Sequence, residues 1–372
     1  MSKFLHVISF DIPFPANYGG AIDVFYKLKA LNECGVKLIL HCFEYNRAQA
    51  PELELICDKV YYYRRNTSFF ANLSVLPYTV YSRKNRQLIE NLTRDDYPIL
   101  FEGLMSCYYL TDKRIQHRIK LYREANIEHD YYRELAKSTT IFIHKLYFLI
   151  ESVKFKLFEP RLQAADSIMA VSQSDAKQLK NRFPNKKVEF IPCFHPNNEV
   201  ISLAGTSDYV LYHANLSVAE NELAALYLCE QVFSQLPHKC IISGLNPTKH
   251  LQKTISQYQN IQLEANPNNE RMNELIQQAQ VHMLVTFQGT GLKLKLLNTL
   301  FMGRHLLVNT LMLEGSGLNE LCTISDTNSG QIDACNQLMK IPFTQMDIDL
   351  RKKKLFPQFS NKEQAKILCN LF

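Results

Sequence analysis

The sequence contains no segment of the kind that crosses a membrane or directs export. No apolar run reaches the roughly 20 residues that a membrane-spanning helix requires. The chain enters a strand pattern at residues 4–10 without the long apolar core and small-residue cleavage site of a signal peptide. These two absences argue against a transmembrane or secreted class, and we expect a cytoplasmic protein.

Cysteine and histidine patterns that form disulfides or bind metals are also missing. The 10 cysteines are scattered without a C-x-x-C pair, and the 11 histidines show no ligand spacing. Most of the cysteines lie in apolar segments. We therefore expect buried free thiols in a reducing compartment and no metal site.

The glycine fingerprint of dinucleotide-binding folds, G-x-G-x-x-G, does not occur, which argues against an NAD enzyme. A shorter signal is present, because Gly19 and Gly20 stand between the first strand pattern and the first helix pattern. A glycine pair there lets a substrate approach the backbone and leaves the N–H groups of the helix open. A flexible turn is the alternative interpretation.

Strand and helix patterns alternate along the chain, which predicts parallel βαβ units and an α/β fold. The chain has 372 residues, more than one domain of about 150 residues needs, and the alternation restarts at residue 209. We predict two successive α/β units with a cleft between them. One comprises residues 1–200 and the other comprises residues 201–360.

Charge is unevenly distributed between these predicted domains. Residues 1–200 hold 28 Lys and Arg against 22 Asp and Glu, whereas residues 201–372 hold 14 of each. A basic first half suits a protein whose N-terminal domain meets an anionic surface or acceptor. A solvated surface without a partner explains the same counts equally well.

The most informative stretch has a strand–turn–helix pattern at residues 281–303. The strand pattern leads to Gly289 and Gly291, and an apolar-periodic helix follows. This order leaves backbone N–H groups and the positive end of a helix open for a phosphate. Lys295 and Asn298 are three residues apart and so share one face of that helix. We predict that the segment binds a diphosphate and its attached sugar or ribose.

A second polar cluster, residues 123–133, follows a short apolar segment with a strand pattern. At the end of a strand, Asn126, Glu128 and His129 would lie at the mouth of the predicted cleft. His129 would hydrogen-bond a sugar hydroxyl, and Glu128 would orient it or act as a base. A solvated helix N-terminus is the alternative interpretation.

Basic and apolar residues interleave over residues 141–161, which include Lys145, Lys154, Lys156 and Arg161. A basic amphipathic surface of this kind can rest on anionic lipid. We favour the alternative, a helix with one face in the core and a solvated opposite side. No nucleic-acid recognition motif accompanies these residues, so we expect no nucleic-acid partner.

Taken in order, these segments resemble GT-B glycosyltransferases, specifically the retaining group called glycosyltransferase family 4. In the first half the resemblance rests on P-F-P-A-N-Y-G-G at 13–20, G-V-K-L-I-L at 35–40, A-V-S-Q-S-D at 170–175 and Ile191-Pro192. In the second half it rests on Y-H-A-N-L-S at 212–217, Glu220-Asn221, G-T-G-L-K-L-K-L-L-N-T-L-F-M-G at 289–303 and H-L-L-V-N at 305–309.

The resemblance implies two Rossmann-like domains that face each other across a cleft, the N-terminal one for the acceptor and the C-terminal one for a nucleotide-diphosphate sugar. It also implies that a helix at 361–372 packs back onto the N-terminal domain. Lys295 matches the lysine of the family's phosphate-binding helix, and His129 matches its histidine near the donor sugar. With Glu128, these are the candidate catalytic residues. The candidate donor-binding residues are Gly19, Gly20, Asn215, Gly289, Thr290, Gly291, Leu292 and Asn298.

The sequence departs from the family at two positions of this segment. Thr290 and Asn298 stand where the family carries a pair of glutamates. An amide can still hydrogen-bond a ribose hydroxyl, whereas a threonine offers no charge near the sugar ring. Two alternatives therefore stay open: a GT-B-like binding or assembly protein without catalysis, and a nucleotide-sugar epimerase of similar architecture.

The function that the resemblance implies is the transfer of a hexose from a nucleotide-diphosphate sugar to an acceptor hydroxyl, with retention and without a metal or further cofactor. Lys295 and the N–H groups of residues 289–292 would neutralise the leaving diphosphate beside an oxocarbenium-like transition state. The expected role is glycan or polysaccharide assembly with a glycan or lipid-linked acceptor. The expected place is the cytoplasm, extending to peripheral contact with anionic lipid at the inner face of the membrane.

Overall fold

The computed structural model describes residues 3–139, 141–287 and 293–372. The chain forms two compact units, one of Met1–Pro196 with Phe359–Phe372 and one of Asn197–Gln358. Each unit is built on one parallel sheet with helices between the strands. The predicted α/β class with two Rossmann-like domains is confirmed.

The strands are short and follow the apolar segments of the sequence. In chain order they are β1 Phe4–Ile8, β2 Lys37–Glu44, β3 Lys59–Arg64, β4 Ile99–Glu102, β5 Lys120–Glu124, β6 Ser167–Ala170, β7 Lys187–Phe190, β8 Tyr209–Asn215, β9 Lys239–Leu245, β10 Ile261–Ala265, β11 Val281–Leu284, β12 His305–Val308 and β13 Thr323–Ile324. The first sheet has the order β3-β2-β1-β4-β5-β6-β7 and the second β10-β9-β8-β11-β12-β13. Parallel neighbours require crossover connections, which the helices supply.

The helices, in chain order, are α1 Gly19–Glu33, α2 Phe69–Asn72, α3 Tyr78–Tyr81, α4 Arg86–Leu92, α5 Glu128–Ser138, α6 Phe142–Phe158, α7 Gln173–Arg182, α8 Ala219–Gln231, α9 Lys249–Ile255, α10 Asn269–Gln278, α11 Leu294–Met302, α12 Thr310–Leu313, α13 Asn328–Leu338, α14 Gln345–Phe359 and α15 Asn361–Cys369. Among the described residues, no helix combines the length and the apolar character that crossing a bilayer demands.

Both faces of the first sheet are buried, because successive strand residues point to opposite sides. Val7 of β1 lies in one core together with Leu28 of α1. Ile8 lies in the other, with Leu88 of α4 and Phe155 of α6. Helices therefore cover this sheet on both sides, and the ends of its strands are left as the places where polar side chains collect.

Helix α15 completes the first unit. Its residues Ala365 and Leu368 are buried in the same core as Leu28. At the chain's other end, Lys3 Nζ donates to the carbonyl oxygens of Cys369 and Phe372, at 2.9 and 3.0 Å. The first and last segments of the chain are thus joined in one unit.

The second sheet has a close contact between β8 and β9. A Cβ atom added at Gly244 would lie 1.7 Å from the carbonyl oxygen of Ala214, so only glycine fits there. Helix α11 follows β11 in sequence and turns Leu296, Leu297 and Leu300 inward as fully buried side chains. This apolar stripe fixes the orientation of the helix and hence of the polar residues on its other side.

Candidate functional site

The predicted phosphate-binding segment is described from Lys293 onward. Residues Gly289, Thr290, Gly291 and Leu292 lie outside the described residues, so their part in binding a donor stays a prediction. The described part ends on one side at Phe287 and resumes at Lys293, the N-cap of α11, whose own side chain makes no capping hydrogen bond.

Lys295 lies in the first turn of α11 and is largely buried. Its Nζ donates to Asn221 Oδ1 at 3.0 Å, and it lies 5.4 Å from the centre of the Tyr212 ring. Burial lowers the pKa of this ammonium group to about 8, and the Glu220 carboxylate partly offsets that effect. The group is therefore mostly protonated at neutral pH, and it is paired with an amide rather than with a carboxylate.

Asn221 links Lys295 to Asn215, the last residue of β8. Its Nδ2 donates to the Asn215 carbonyl oxygen at 2.9 Å, and Tyr212 Oη donates to the Asn221 carbonyl oxygen at 3.0 Å. The Asn215 side chain accepts hydrogen bonds from the backbone and hydroxyl of Ser217. The structure thus brings together Asn215 and Lys295, which the sequence proposed separately, through a residue to which it assigned no role.

The chain that leads from β11 toward the predicted turn is held by two polar side chains. Asn309 Oδ1 accepts from the Thr286 backbone N–H at 3.2 Å, and Asn309 Nδ2 donates to the Thr286 carbonyl oxygen at 2.7 Å. Thr286 Oγ1 donates to Glu220. Glu220 and Asn221 had a signal in the sequence, since both belong to a motif of the family resemblance, and Asn309 ends another.

Asn298 does not join this cluster. Its Oδ1 accepts a hydrogen bond from Asn197 Nδ2 at 2.8 Å. It lies one turn after Lys295 on α11, as the spacing predicted. Its proposed contact with a ribose hydroxyl stays a prediction.

In the first unit, Gly19 is the first residue of α1, and no side chain caps this helix. A Cβ atom added at Gly20 would lie 2.6 Å from Cζ of the Phe10 ring, so the absence of a side chain permits this close approach. Arg83 is buried beside it and donates through Nε to the Phe10 carbonyl oxygen at 2.8 Å. Burial lowers the pKa of this guanidinium, which nevertheless stays charged at neutral pH.

Glu128 begins α5 shortly after β5 ends, at the position expected for a strand-end residue, and it is only 3% exposed. Burial raises the pKa of its carboxyl to about 7, against the opposing charge of Arg83. The neighbouring Glu124 accepts from Tyr122 Oη at 2.7 Å, and burial followed by the Glu128 charge raises its pKa as well. A carboxyl that titrates near neutral pH can give or take a proton there.

His129 is also buried, at 3% exposure, so the alternative of a solvated helix N-terminus is wrong. Its Nδ1 lies 2.8 Å from Glu159 Oε2, and its Nε2 lies 3.3 Å from Arg182 Nη2. The carbonyl oxygen of His129 accepts from Ser152 Oγ at 2.6 Å. Both ring nitrogens therefore face side chains of this unit, which no spacing in the sequence indicated.

Within residues 3–139, 141–287 and 293–372, no group of at least three His, Cys, Asp or Glu side chains is arranged to hold a metal ion. Charge in the two candidate sites is supplied by the protein's own cations, Lys295 in the second unit and Arg83 in the first.

Known proteins resemble this chain in sequence in one case and in fold in others. No protein-family model matches the chain. It is 27% identical over 339 residues to an uncharacterized 44.6 kDa protein in the cps region of Klebsiella pneumoniae, covering 86% of each chain. Solved structures resemble it at 10% identity over essentially their whole length, which shows a shared fold.

Three of these solved structures illustrate the similarity in fold. TarM has a TM-score of 0.68 and 10% identity, with 100% of this chain and 99% of that chain covered. An Escherichia coli structure described as trehalose-6-phosphate bound with UDP-2-fluoro glucose has a TM-score of 0.65, 10% identity and 99% of both chains covered. A UDP-forming α,α-trehalose-phosphate synthase from Burkholderia xenovorans, in complex with glucose-6-phosphate, has a TM-score of 0.63, 10% identity and 99% of both chains covered.

Proposed function

We propose that this protein is a glycosyltransferase that moves a sugar from a nucleotide-diphosphate sugar to an acceptor hydroxyl. The observation that carries the proposal is Lys295, a buried ammonium group at the N-terminal end of α11 whose hydrogen-bond partner is an amide. Two proteins that share the fold are named for UDP release or for a bound UDP-sugar, which supports the same class of donor.

In the proposed mechanism Lys295 neutralises the leaving diphosphate as the bond to the sugar breaks. Charge that develops in the transition state is stabilised most by groups already oriented toward it in a dry site. Asn221 fixes the direction of the ammonium group, and the amides of residues 289–292 are proposed to add to it. We propose transfer with retention, without a metal, and with no cofactor other than the donor.

The first unit is proposed to take the acceptor. Glu128 titrates near neutral pH and is proposed to take the proton from the acceptor hydroxyl. The start of α1, at Gly19 and Gly20, is proposed as the surface that a ligand approaches. His129 is proposed to contact the donor sugar. It would have to exchange its contact with Arg182 for a sugar hydroxyl, because Glu159 occupies its other nitrogen.

The proposed pathway is polysaccharide assembly in the cytoplasm, at the inner face of the membrane, on a glycan or lipid-linked acceptor. The relative from Klebsiella pneumoniae is named for the cps region, which supports such a pathway. A hexose is the proposed sugar, and membership of glycosyltransferase family 4 is the proposed classification.

A thermal-shift screen against UDP, GDP, CMP and dTDP tests donor binding. A ligand at 100 times its dissociation constant stabilises the folded protein by about 2.7 kcal/mol, and we expect one of the nucleotides to do so. Lys295→Ala should abolish that shift, and it should abolish transfer from the matching nucleotide sugar. Lys249→Ala, at an exposed lysine that begins α9, is the matched control and should keep both.

The competing functions give different results in the same assays. A nucleotide sugar that binds to the wild-type protein but is neither transferred nor hydrolysed would favour a binding or assembly protein. Thr290 and Asn298, which stand in place of glutamates, allow this alternative. An epimer that forms from the donor without any acceptor would favour an epimerase. Unchanged turnover in Lys295→Ala would refute the assigned role of this lysine.

A further inference from the structure

Helix α6 is apolar on two opposite sides and buries only one of them. Phe155 and Phe158 face the core, at 0% and 2% exposure. On the other side the exposed apolar side chains, between 42% and 77% accessible, are Phe142, Ile143, Leu146, Leu149, Ile150, Val153 and Leu157. At about 100° per residue, they fall within an arc of roughly 120°. We call this arc the α6 face.

The α6 face differs from what the sequence led us to favour. The expected core-facing side and an exposed opposite side are both present, but the exposed side is apolar. A helix that is hydrophobic all round is normally buried all round, and contiguous exposed apolar patches mark sites of interaction. We therefore expect the α6 face to be covered by a binding partner.

Basic residues border the α6 face on both edges. On the helical projection Lys145 and Lys156 fall on one edge and Lys154 on the other. Glu151, the acidic residue of this helix, is buried, lies 2.9 Å from Lys154 and accepts from the Tyr78 backbone N–H at 2.7 Å. Glu151 therefore compensates the charge of Lys154, and the exposed side of α6 has an apolar centre with a positive edge at the exposed Lys145 and Lys156.

The connection between α2 and α3 extends the same surface. Lys154 Nζ donates to the carbonyl oxygen of Asn72 at 3.2 Å, which places this connection beside α6. The connection carries Leu73 and Val75, at 68% and 88% exposure. More apolar side chains therefore lie exposed next to the helix.

We propose that the α6 face docks the protein on a bilayer that contains anionic lipid. The apolar side chains enter the boundary between headgroups and acyl chains, and the bordering lysines meet lipid phosphates. Charge complementarity selects this occupant, since an apolar centre with a positive edge at Lys145 and Lys156 matches an anionic bilayer surface. The inference concerns binding alone and stands whether or not the proposed sugar transfer is correct.

A unique fluorophore tests insertion directly, because the chain contains no tryptophan. With vesicles of phosphatidylcholine and phosphatidylglycerol, Phe142→Trp should shift its emission to the blue and be quenched by brominated acyl chains. Leu55→Trp is the control, since Leu55 is 83% exposed in another part of the same unit. If the emission maximum of Phe142→Trp is the same with and without vesicles, the proposal is overturned.

Neutralising the positive edge tests the electrostatic part by co-sedimentation with the same vesicles. Each lysine near an anionic surface contributes about fivefold to affinity, so Lys145→Gln with Lys156→Gln should weaken binding by about 25-fold at low salt. Added salt should shrink that difference. Lys353→Gln, at an exposed lysine of α14, should bind as wild type does. Wild-type binding to vesicles of phosphatidylcholine alone that is as tight as binding to the anionic vesicles, or no loss of binding in the double lysine variant, would contradict the selection of an anionic surface.

A second copy of the chain is the competing occupant. Light scattering without lipid should give a monomer for wild type and for Phe142→Ser with Leu157→Ser, and circular dichroism should report the same helix content in both. A wild-type dimer that this double substitution separates would show that the α6 face joins two copies and would overturn the membrane proposal.

Discussion

Each unit buries a lysine near the carboxyl ends of its strands, but different groups contact the two ammonium groups. In the first unit Lys27 Nζ lies 2.9 Å from Glu102 and 3.1 Å from Asp23, and Asp23 also pairs with Arg123 at 2.9 Å. In the second unit, among the described residues, Lys295 has an amide where Lys27 has two carboxylates. Compensated charges hold a structure together, whereas the charge of Lys295 is only partly offset by the Glu220 carboxylate and stays available to an anionic ligand.

The pKa shifts follow the same division. Burial alone would raise the pKa of Asp23, but Arg123 and Lys27 hold it well below its usual range. At Lys295 burial dominates, and its pKa falls to about 8. We infer that the Asp23 network is structural and that the Lys295 site is available to a ligand, and each of the following changes tests this difference.

The largest effect should come from Asp23→Asn. This change leaves Arg123 and Lys27 buried with one carboxylate between them, and removing one partner of a buried ion pair costs about 3–5 kcal/mol. Urea denaturation measures the loss. Glu90→Gln breaks an exposed pair with Arg86 and should cost at most about 1 kcal/mol. Similar losses in the two variants would remove the structural role of the network.

Glu128→Gln should stabilise the protein at alkaline pH by about 3 kcal/mol. Burial raises the folded-state pKa of Glu128 from 4.5 to about 7, so its favourable protonated form is complete below pH 4.5 and is lost as pH rises through 7. The amide mimics the protonated form. The variant should therefore match wild type at pH 4.5 and exceed it at pH 8 in unfolding free energy, and an equal gain at both pH values would contradict the assignment.

The affinity for the nucleotide diphosphate should fall above pH 8, by up to tenfold per pH unit. In the proposed function only the protonated Lys295 would attract the diphosphate, and its pKa of about 8 in the free protein would set the pH at which that attraction is lost. Isothermal titration between pH 7 and 9.5 measures the profile. Lys295→Arg should flatten it, because a guanidinium stays charged throughout this range.

The smallest effect should be that of Lys295→Met on unfolding. The substitution removes a desolvated charge and keeps the apolar stem, so the free energy of unfolding should change by about 1 kcal/mol or less. Urea denaturation of this variant beside Asp23→Asn gives the direct contrast between the units. A loss as large as that of Asp23→Asn would make Lys295 a structural residue as well.

The strand–helix alternation made the fold predictable from the sequence, because each βαβ crossover leaves a local period. The position of Lys295 was predictable too, since α11 has a clear apolar stripe and the lysine lies off it. Asn221 was quoted as part of a motif but given no role, because its contact with Lys295 joins residues 74 positions apart in the chain. Local spacing carries no information about such a contact.

The contacts of His129 and the exposed apolar side of α6 could not be predicted from the sequence, because both depend on how distant segments pack. The contacts of His129 with Glu159 and Arg182 arise where α5, α7 and the end of α6 meet, so no short pattern contains them. For α6, periodicity identified an amphipathic helix but could not say that both its sides are apolar in the folded unit. Which side meets the core depends on the packing of Phe155 and Phe158.

Because residues 359–372 belong to the first unit, the polypeptide from Asn197 to Gln358 is an insertion within that unit. During synthesis the first sheet emerges early, yet Ala365 and Leu368 leave the ribosome after the entire second unit. The second unit therefore has all its residues before the first unit has α15, and a first unit without α15 lacks Ala365 and Leu368 from its core. A chain that stopped after Gln358 would carry a complete second unit beside a first unit with part of its core exposed, and exposed core surface of this kind promotes aggregation.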